Sequence, residues 1–365
     1  MMSKSLIEIF EELPDPRSGN AIRHKLIDVI TIGIMSILSG HDEYTEMELF
    51  AQMKESWLRG FLELPGGIPS HDTFGDIFSA INPMAFRKCF MQWVQAVREN
   101  ISGEIISIDG KNIRGSRDNA NGKRATHIVS AWAQNNQIVL GQLATEEKSN
   151  ETTAIPELLK LLEIKGCIVT IDAAGCQKKI AKQIVYAGAD YVLALKGNQE
   201  NLHEDVKLYF ENEDIAHKTT THDKGHGRVE TREYRLETGI DWLPQKSDWM
   251  SLNAIGMVKS RVLERDVVRE ETRYFITSLT DVKSFAKAVR AHWGIENSLH
   301  WSLDVTFGED SCRARAGAAA ENLNILRHLA IGLLKNETSI NASLNLKRKR
   351  CALSNDYLLK VLDFS

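Results

Sequence analysis

The chain has few cysteines and no paired cysteine motif. Five cysteines occur in 365 residues, and no two of them form a C-x-x-C pair. This spacing excludes the usual zinc-knuckle pattern and gives no basis for a disulfide framework. The cysteines instead indicate a reducing compartment such as the cytoplasm. They are Cys89, Cys167, Cys176, Cys312 and Cys351.

The sequence also lacks a hydrophobic run long enough to cross a membrane. Its longest apolar stretch, LIDVITIGIMSIL (26–38), contains Asp28 and is shorter than a bilayer requires. The first twenty residues carry acids where a signal peptide needs an apolar core. We therefore expect a buried helix at 26–38 and a soluble, cytoplasmic protein with no membrane partner.

A basic excess is missing from the chain as a whole. The net charge is −4, which weighs against a dedicated nucleic-acid coat protein. It leaves room for an enzyme that concentrates acids in a metal site and bases elsewhere. From Ser311 to Ser365 nine bases face four acids, a local charge of +5. Residues 336–365 are predicted to form a basic C-terminal tail, in which KRKR (347–350) is interpreted as solvated.

Residues 1–100 are predicted to form a helical N-terminal domain. Apolar residues recur there at spacings of three and four, which is typical of helices packed on one face. Ser70 or Asp72 could cap a short helix through 73–81. The longer predicted helices lie within 22–39, 45–62 and 83–98.

The pattern changes at residue 104, where β-branched runs begin. The order β-β-β-α-β-α-β predicts an α/β domain over 101–335 with a mixed sheet. Asn135-Asn136 indicates a two-residue hairpin turn between the second and third strands. Strand-like runs over about 200–282 predict a β-rich insertion, and the pattern is helical from Val282 to about Lys335.

Two of the predicted strands end on an aspartate. Asp109 in ISIDG and Asp172 in TIDAAG each follow a β-branched run and precede a glycine. The carboxyl edge of an open α/β sheet is where ligands bind, although aspartate is also a common turn residue. Two like charges on neighbouring strands are costly unless a cation lies between them. Oxygen ligands without a Cys–His cluster favour Mg²⁺ or Mn²⁺.

A third carboxylate is expected from HWGIENSLHWSLDVTFGED (292–310). On one helix over 284–304, at about 100° per residue, Glu296 falls within the apolar stripe and Asp304 on its shoulder. Glu309 and Asp310 follow Gly308, beyond that helix. A carboxylate on a buried face needs a partner, so Glu296 is either the third metal ligand or half of a structural ion pair. The tryptophans of this stretch are interpreted as packing.

Several polar residues could bind DNA phosphates, which DNA enzymes contact in number. The alternatives are a solvated turn or surface charge. For Arg313 and Arg315, a further alternative is an ion pair with Glu309 and Asp310. The candidates are Lys111, Arg114, Lys196, Asn198, His226, Arg228, Arg313 and Arg315.

Seven motifs, in order, resemble the H-repeat-associated transposases of bacterial insertion sequences. They are IDGKNIRGS, THIVSAW, EKSNETTAIPELL, IVTIDAAGCQKKIA, GADYVLALKGNQ, GHGRVETR and HWGIENSLHWSLDVTFGED, and the resemblance runs from about Leu13 to about Leu334. It implies an RNase H-like fold and a DDE triad of Asp109, Asp172 and Glu296 that binds Mg²⁺ (or Mn²⁺). The implied partners are double-stranded DNA, at element ends and target, and a second copy of the chain during synapsis.

The resemblance implies phosphoryl transfer at DNA ends, with two metal ions about 4 Å apart at the scissile phosphate. Related transposases carry Tyr, Arg and Lys around the glutamate, where this chain has Val289, His292 and Leu303. The leading hypothesis is therefore an active DDE transposase. The alternatives are a DNA-binding relic or regulator derived from one, and a metal-dependent nuclease without strand transfer.

Overall fold

The computed structural model describes residues 5–19, 22–97, 102–145, 151–225, 228–265 and 267–362. The chain divides into two compact units. Unit 1 comprises Met1–Asn100, Gly110–Lys148 and Glu296–Ser365, and unit 2 comprises Ile101–Asp109 and Ser149–Ile295. Numbered along the chain, the strands follow the order β3-β2-β1-β4-β5-β9-β8-β7-β6. This mixed sheet after a run of helices confirms the predicted α/β architecture with a helical N-terminal region.

The first hundred residues are helical, as the apolar periodicity predicts. The longest apolar run forms α2, whose Asp28 carboxylate accepts a hydrogen bond from the Leu64 N–H at 2.9 Å. Ser70, one of the two expected caps, accepts from the Thr73 N–H at the start of α5. The helices are α1 (Leu6–Glu11), α2 (Leu26–Leu38), α3 (Tyr44–Met53), α4 (Glu55–Leu58), α5 (His71–Ala80) and α6 (Pro83–Val97).

Unit 1 also contains a β-hairpin and a long buried helix. Strands β2 (Thr126–Ala133) and β3 (Ile138–Ala144) pair antiparallel. The predicted two-residue turn is wrong: residues 134–137 form the loop, and Gln137 rather than an asparagine adopts positive φ. Helix α11 (Ala319–Asn336) is buried along most of its length. Within the described ranges, no helix combines the length and apolarity needed to cross a membrane.

Three neighbouring strands of unit 2 are parallel. Strand β4 (Ile168–Ile171) pairs with β1 (Ile105–Ile113) on one side and with β5 (Asp190–Leu195) on the other. Helices α7 (Glu151–Leu161) and α8 (Lys178–Tyr186) form the connections. The predicted order β-β-β-α-β-α-β is thereby confirmed, and parallel strands joined by helices have their carboxyl ends at one edge.

The predicted β-rich insertion contains four antiparallel strands, β6 to β9, but it begins with a helix. Helix α9 (Glu200–Asn212) lies at the start of the range assigned to the insertion, before its strand-like runs. Strand β6 was missed, because it is almost entirely polar and exposed. The strands are β6 (Lys218–Gly225), β7 (Arg228–Glu237), β8 (Ala254–Glu264) and β9 (Val267–Thr277).

Helix α10 (Val282–Gly294) packs on the sheet of unit 2. A Cβ at Gly256 of β8 would lie 2.4 Å from Cζ of Phe285, so only glycine permits this close approach. The helical pattern predicted to about Lys335 is present but interrupted, and the single α-helix expected over 284–304 is wrong. Residues Ile295–His300 and Ser302–Thr306 are π-helical, Gly308 is left-handed with φ of 58°, and α11 begins only at Ala319.

The basic C-terminal segment is structured. It forms α12 (Leu344–Leu353) and α13 (Asn355–Leu362). Arg348 is 4% exposed and donates to the Ile37 carbonyl and to the Asp42 carboxylate, and Lys347 donates to the Leu334 carbonyl at 2.8 Å. The solvated interpretation of KRKR is therefore wrong for these two bases, although Lys349 and Arg350 are exposed.

Candidate metal centre and nucleic-acid interface

The register of β1 and β4 makes Asp109 and Asp172 neighbours. The Cα partners run from Ile105 with Ile168 to Ile108 with Ile171, and the two aspartates directly follow this last pair. Adjacent strands lie about 4.8 Å apart, and residues at the same level of parallel strands point to the same face. Both side chains are partly buried. The structure thus makes these two predicted residues neighbours where the pairing of β1 with β4 ends. The prediction that a strand ends at Asp109 is wrong, because β1 continues to Ile113.

Local hydrogen bonds fix the Asp172 carboxylate. It accepts from the N–H groups of Ala174 at 3.0 Å and Gly175 at 3.3 Å. Gly175 is needed here because a Cβ would lie 2.3 Å from the Ile171 side chain. Burial raises the pKa of Asp172, the nearby Glu151 carboxylate raises it further, and the two N–H groups and Lys196 oppose this rise.

Glu151 is an acid near this edge that sequence reasoning missed. It begins α7 and lies close enough to Asp172 to raise the pKa of that carboxyl. The sequence offered one signal, since Glu151 belongs to the EKSNETTAIPELL motif. The helical pattern of that motif gave no indication that Glu151 would lie near Asp172.

Glu296 lies at the second position of the π-helical segment Ile295–His300 and is exposed. The expectation that it occupies the buried stripe is wrong. Ile295, Leu299 and Leu303 are at most 1% exposed and form that stripe. A π-helix has more residues per turn than the assumed α-helix, so the angular positions shift after Gly294. Trp301 is 56% exposed, and its interpretation as packing is also wrong.

Three positions around Glu296 differ from the basic pattern of related transposases, and their environments differ too. Val289 and Leu303 are buried apolar residues. His292 Nδ1 lies 2.9 Å from Thr170 Oγ1. Burial, assisted by the charge of Arg273, lowers the pKa of His292 to about 4, so its imidazole is neutral at pH 7.

Lys111 is enclosed by carboxylates. Its Nζ lies 2.7 Å from Asp304, 3.1 Å from Glu309 and 3.3 Å from Asp310, and the side chain is 11% exposed. Burial alone would lower the pKa of Lys111, but Glu309 and Asp304 outweigh it, so the pKa is raised. Neither sequence interpretation, a phosphate ligand or a solvated turn, describes this arrangement.

Glu309 connects Lys111 to a deeper polar cluster in unit 1. Its side chain is fully buried, and it accepts from Asn324 Nδ2 at 2.8 Å and lies 3.5 Å from Arg327 Nη1. Arg327 is 1% exposed on α11. A buried charge is tolerated when opposite charges and hydrogen bonds surround it. The acids after Gly308 therefore hold the fold around Lys111 and Arg327.

The other predicted phosphate ligands lie at separate places. Arg114 is largely exposed, and its backbone N–H donates to Asp310. Lys196 is exposed after β5, where Asn198 donates to the Ala173 carbonyl at 2.6 Å. Arg228 is exposed at the start of β7 and lies 3.9 Å from Glu230. His226 lies outside the described residues.

Arg313 and Arg315 line a cavity of about 540 Å³ in unit 1. Asp72 and Asp76 are on its wall, and Arg315 Nε donates to the Gly115 carbonyl at 3.1 Å. The alternative that these two arginines pair with Glu309 and Asp310 is wrong. Those acids instead contact Lys111, Arg114 and Arg327.

The donor set at the sheet edge suits a hard divalent cation. Asp109 and Asp172 offer carboxylate oxygens, the ligands that Mg²⁺ and Mn²⁺ prefer. Within the part of the chain that the structure describes, no group of three or more His, Cys, Asp or Glu side chains is arranged to hold a metal ion. Two of the three predicted ligands are therefore neighbours in unit 2, and Glu296 belongs to unit 1.

Comparison with known proteins gives matches along most of the chain. A family model described as "Transposase DDE domain" matches residues 101–333, and one described as "DDE_Tnp_1-associated" matches 7–94. "Putative transposase YncI" of Escherichia coli O157:H7 is 40% identical, covering 99% of this chain and 95% of that protein. "H repeat-associated putative transposase YhhI" of Escherichia coli strain K12 is 36% identical, covering 99% and 98%.

One solved structure is a more distant match. A piggyBac transposase synaptic complex with hairpin DNA superimposes on 98% of this chain and 78% of that chain, with a TM-score of 0.46 and 12% identity. A likeness at this level supports no transfer of residue roles.

Proposed function

Because the chain belongs to the family of proteins with a transposase DDE domain, we propose that it cleaves DNA at the ends of an insertion sequence and joins those ends to target DNA. The observation that carries the proposal is the register of β1 and β4, which makes Asp109 and Asp172 neighbours at the sheet edge. With Glu296 they form the proposed metal-binding triad.

In this proposal Asp109, Asp172 and Glu296 hold Mg²⁺ or Mn²⁺. When bound, the metal lowers the pKa of a water or 3′-hydroxyl nucleophile and stabilises charge on the leaving oxygen. The chain supplies the oxygen ligands and their orientation. The N–H groups of Ala174 and Gly175 direct one oxygen of Asp172, which leaves its other oxygen available for a cation.

The exposed bases are proposed to bind DNA phosphates. Lys196 fits best, because it is exposed and its charge acts on Asp172. Arg114, Arg228 and Arg313 are also exposed, while Lys111 is better suited to holding Asp304 and Glu309. Asn198, His226 and Arg315 complete the proposed set. Phosphate contacts of this kind weaken as salt rises.

We further propose a helical domain over 1–100, a catalytic domain over 101–335 and two copies of the chain during synapsis. The described cysteines are free thiols, which suits action in a reducing cytoplasm.

Labelled DNA carrying the inverted repeats that flank the gene, incubated with purified protein and Mg²⁺, tests the proposal. End cleavage followed by joining to an unlabelled plasmid is the expected result. Cleavage without joining would indicate the nuclease alternative. Binding without cleavage would indicate a relic or regulator, and the transposase proposal would then be wrong.

A further inference from the structure

A closed chain of hydrogen bonds connects α10 to the strands that carry Asp109 and Asp172. His292 Nδ1 is 2.9 Å from Thr170 Oγ1, which donates to Ser107 Oγ at 3.1 Å. Ser107 Oγ in turn donates to the Ala291 carbonyl at 3.4 Å. This series of hydrogen bonds therefore starts at His292 on α10, passes through Thr170 of β4 and Ser107 of β1, and returns to α10 at Ala291.

The direction of donation sets the histidine tautomer. Each hydroxyl has one proton to donate, and Thr170 and Ser107 use theirs on the next acceptor. The bond between His292 and Thr170 must then be donated by Nδ1–H. The depressed pKa of His292 is consistent with a neutral ring that carries this single proton.

The connection lies directly behind the proposed metal ligands. Ser107 and Thr170 are Cα partners in the register, two residues before Asp109 and Asp172. Side chains two residues apart on a strand share a face. Both hydroxyls are at most 2% exposed, so losing a partner would leave a buried polar group unsatisfied at a cost of about 1–3 kcal/mol.

The same connection occurs where the helix changes its geometry. The N–H of Ile295 donates to the His292 carbonyl, not to the Ala291 carbonyl as in a regular α-helix. The Ala291 carbonyl accepts from Ser107 at this point, and the π-helical segment with Glu296 follows. π-Helical turns are frequent at functional sites.

We propose that His292, with Thr170 and Ser107, is a positioning residue that fixes the helix leading to Glu296 against the strands of Asp109 and Asp172. This inference rests on the proposed function, because it assigns the bonds to metal-ligand geometry. Partners behind metal ligands orient them, and removing such partners typically weakens metal binding 10- to 100-fold.

The test measures Mn²⁺ binding to the full chain, without DNA, by electron paramagnetic resonance. Thr170→Val and His292→Leu remove the bonds. Thr277→Val is the matched control, because it removes a buried strand hydroxyl of unit 2 that donates to the Tyr191 carbonyl at 2.6 Å. His292→Asn keeps an N–H donor near the Nδ1 position and should restore part of the affinity.

We expect Thr170→Val and His292→Leu to bind Mn²⁺ about 10-fold more weakly and to need more metal for cleavage, with KM for DNA unchanged. Thr277→Val should lower the melting temperature about as much as Thr170→Val does, but it should bind Mn²⁺ as tightly as wild type. Equal affinity in all variants, with wild type binding Mn²⁺ and cleaving DNA, would overturn this inference alone. A wild-type chain that neither binds Mn²⁺ nor cleaves would overturn the proposed function as well.

Discussion

At the scale of single residues, Lys111 is the clearest example of a charge whose role depends on its surroundings. Three carboxylates approach its ammonium within 3.3 Å, and one of them, Glu309, is fully buried. Removing one member of a buried ion cluster leaves the others without compensation. Lys111 should therefore contribute to folding more than to DNA binding.

We predict that Lys111→Met lowers the free energy of unfolding by on the order of 3 kcal/mol, because Glu309 would lose its nearest cation. Urea denaturation measures this change. Arg114→Met is the matched control, since Arg114 approaches the same Asp310 but its side chain is 82% exposed. Equal stabilities for the two variants would contradict the assigned role.

Two histidines with lowered pKa values make stability depend on pH. Burial lowers the pKa of His328 to about 3 and that of His292 to about 4, below the ordinary value of 6.5. As pH falls from 6.5 towards 4, the unfolded chain binds protons that the folded chain does not. These two histidines therefore make the free energy of unfolding smaller as the pH is lowered through this window.

We predict that His328→Gln makes the free energy of unfolding less dependent on pH, because about one proton fewer is taken up on unfolding. Urea titrations at several pH values between 4 and 6.5 give the slope. His71→Gln is the control, because Glu48 raises the pKa of His71, and its bond adds stability at low pH that is lost as pH rises. Flattening by His71→Gln but not by His328→Gln would contradict the account.

At the scale of elements, the packing of α10 on the sheet of unit 2 depends on the glycine at position 256. We predict that Gly256→Ala lowers the melting temperature, at a cost of about 1–3 kcal/mol, because its Cβ would overlap Phe285. Gly225→Ala is the control, since a Cβ there meets nothing within 4 Å. Equal melting temperatures would show that α10 shifts without cost.

The sequence predicted elements well where one periodicity holds throughout. Strands β1 and β4 and helices α7 and α8 follow from alternation and apolar spacing, although β1 continues past Asp109 to Ile113. The exposed position of Glu296 could not be predicted, because the change from α- to π-helix at Ile295 alters the angle per residue. Strand β6 was missed for another reason, since it is held by pairing with β7 and buries almost nothing.

The site could be predicted only in part, for similar reasons. Asp109 and Asp172 follow from local sequence and from the parallel pairing of their strands, although only Asp172 lies at the end of its strand. The carboxylates around Lys111 come from residues 304–310, almost two hundred positions away, and no local pattern indicates that contact. Glu151 near Asp172 is likewise a product of tertiary structure.

At the scale of the whole molecule, the C-terminal helices are part of the fold of unit 1. We predict that Arg348→Met lowers the free energy of unfolding by on the order of 3 kcal/mol, because Asp42 and the Ile37 carbonyl lose a buried partner. Lys349→Met, which changes the neighbouring exposed base, should have little effect. A stable Arg348→Met protein would favour the solvated tail.

The central claim is that Asp109, Asp172 and Glu296 hold the metal for DNA cleavage. The most direct measurement is the rate of Mg²⁺-dependent cleavage of labelled end DNA by Asp109→Asn and Glu296→Gln, with DNA binding measured in parallel. We predict rates at least about 100-fold below wild type, since each change removes a metal ligand, while binding is largely retained. Wild-type cleavage by either variant would contradict the claim.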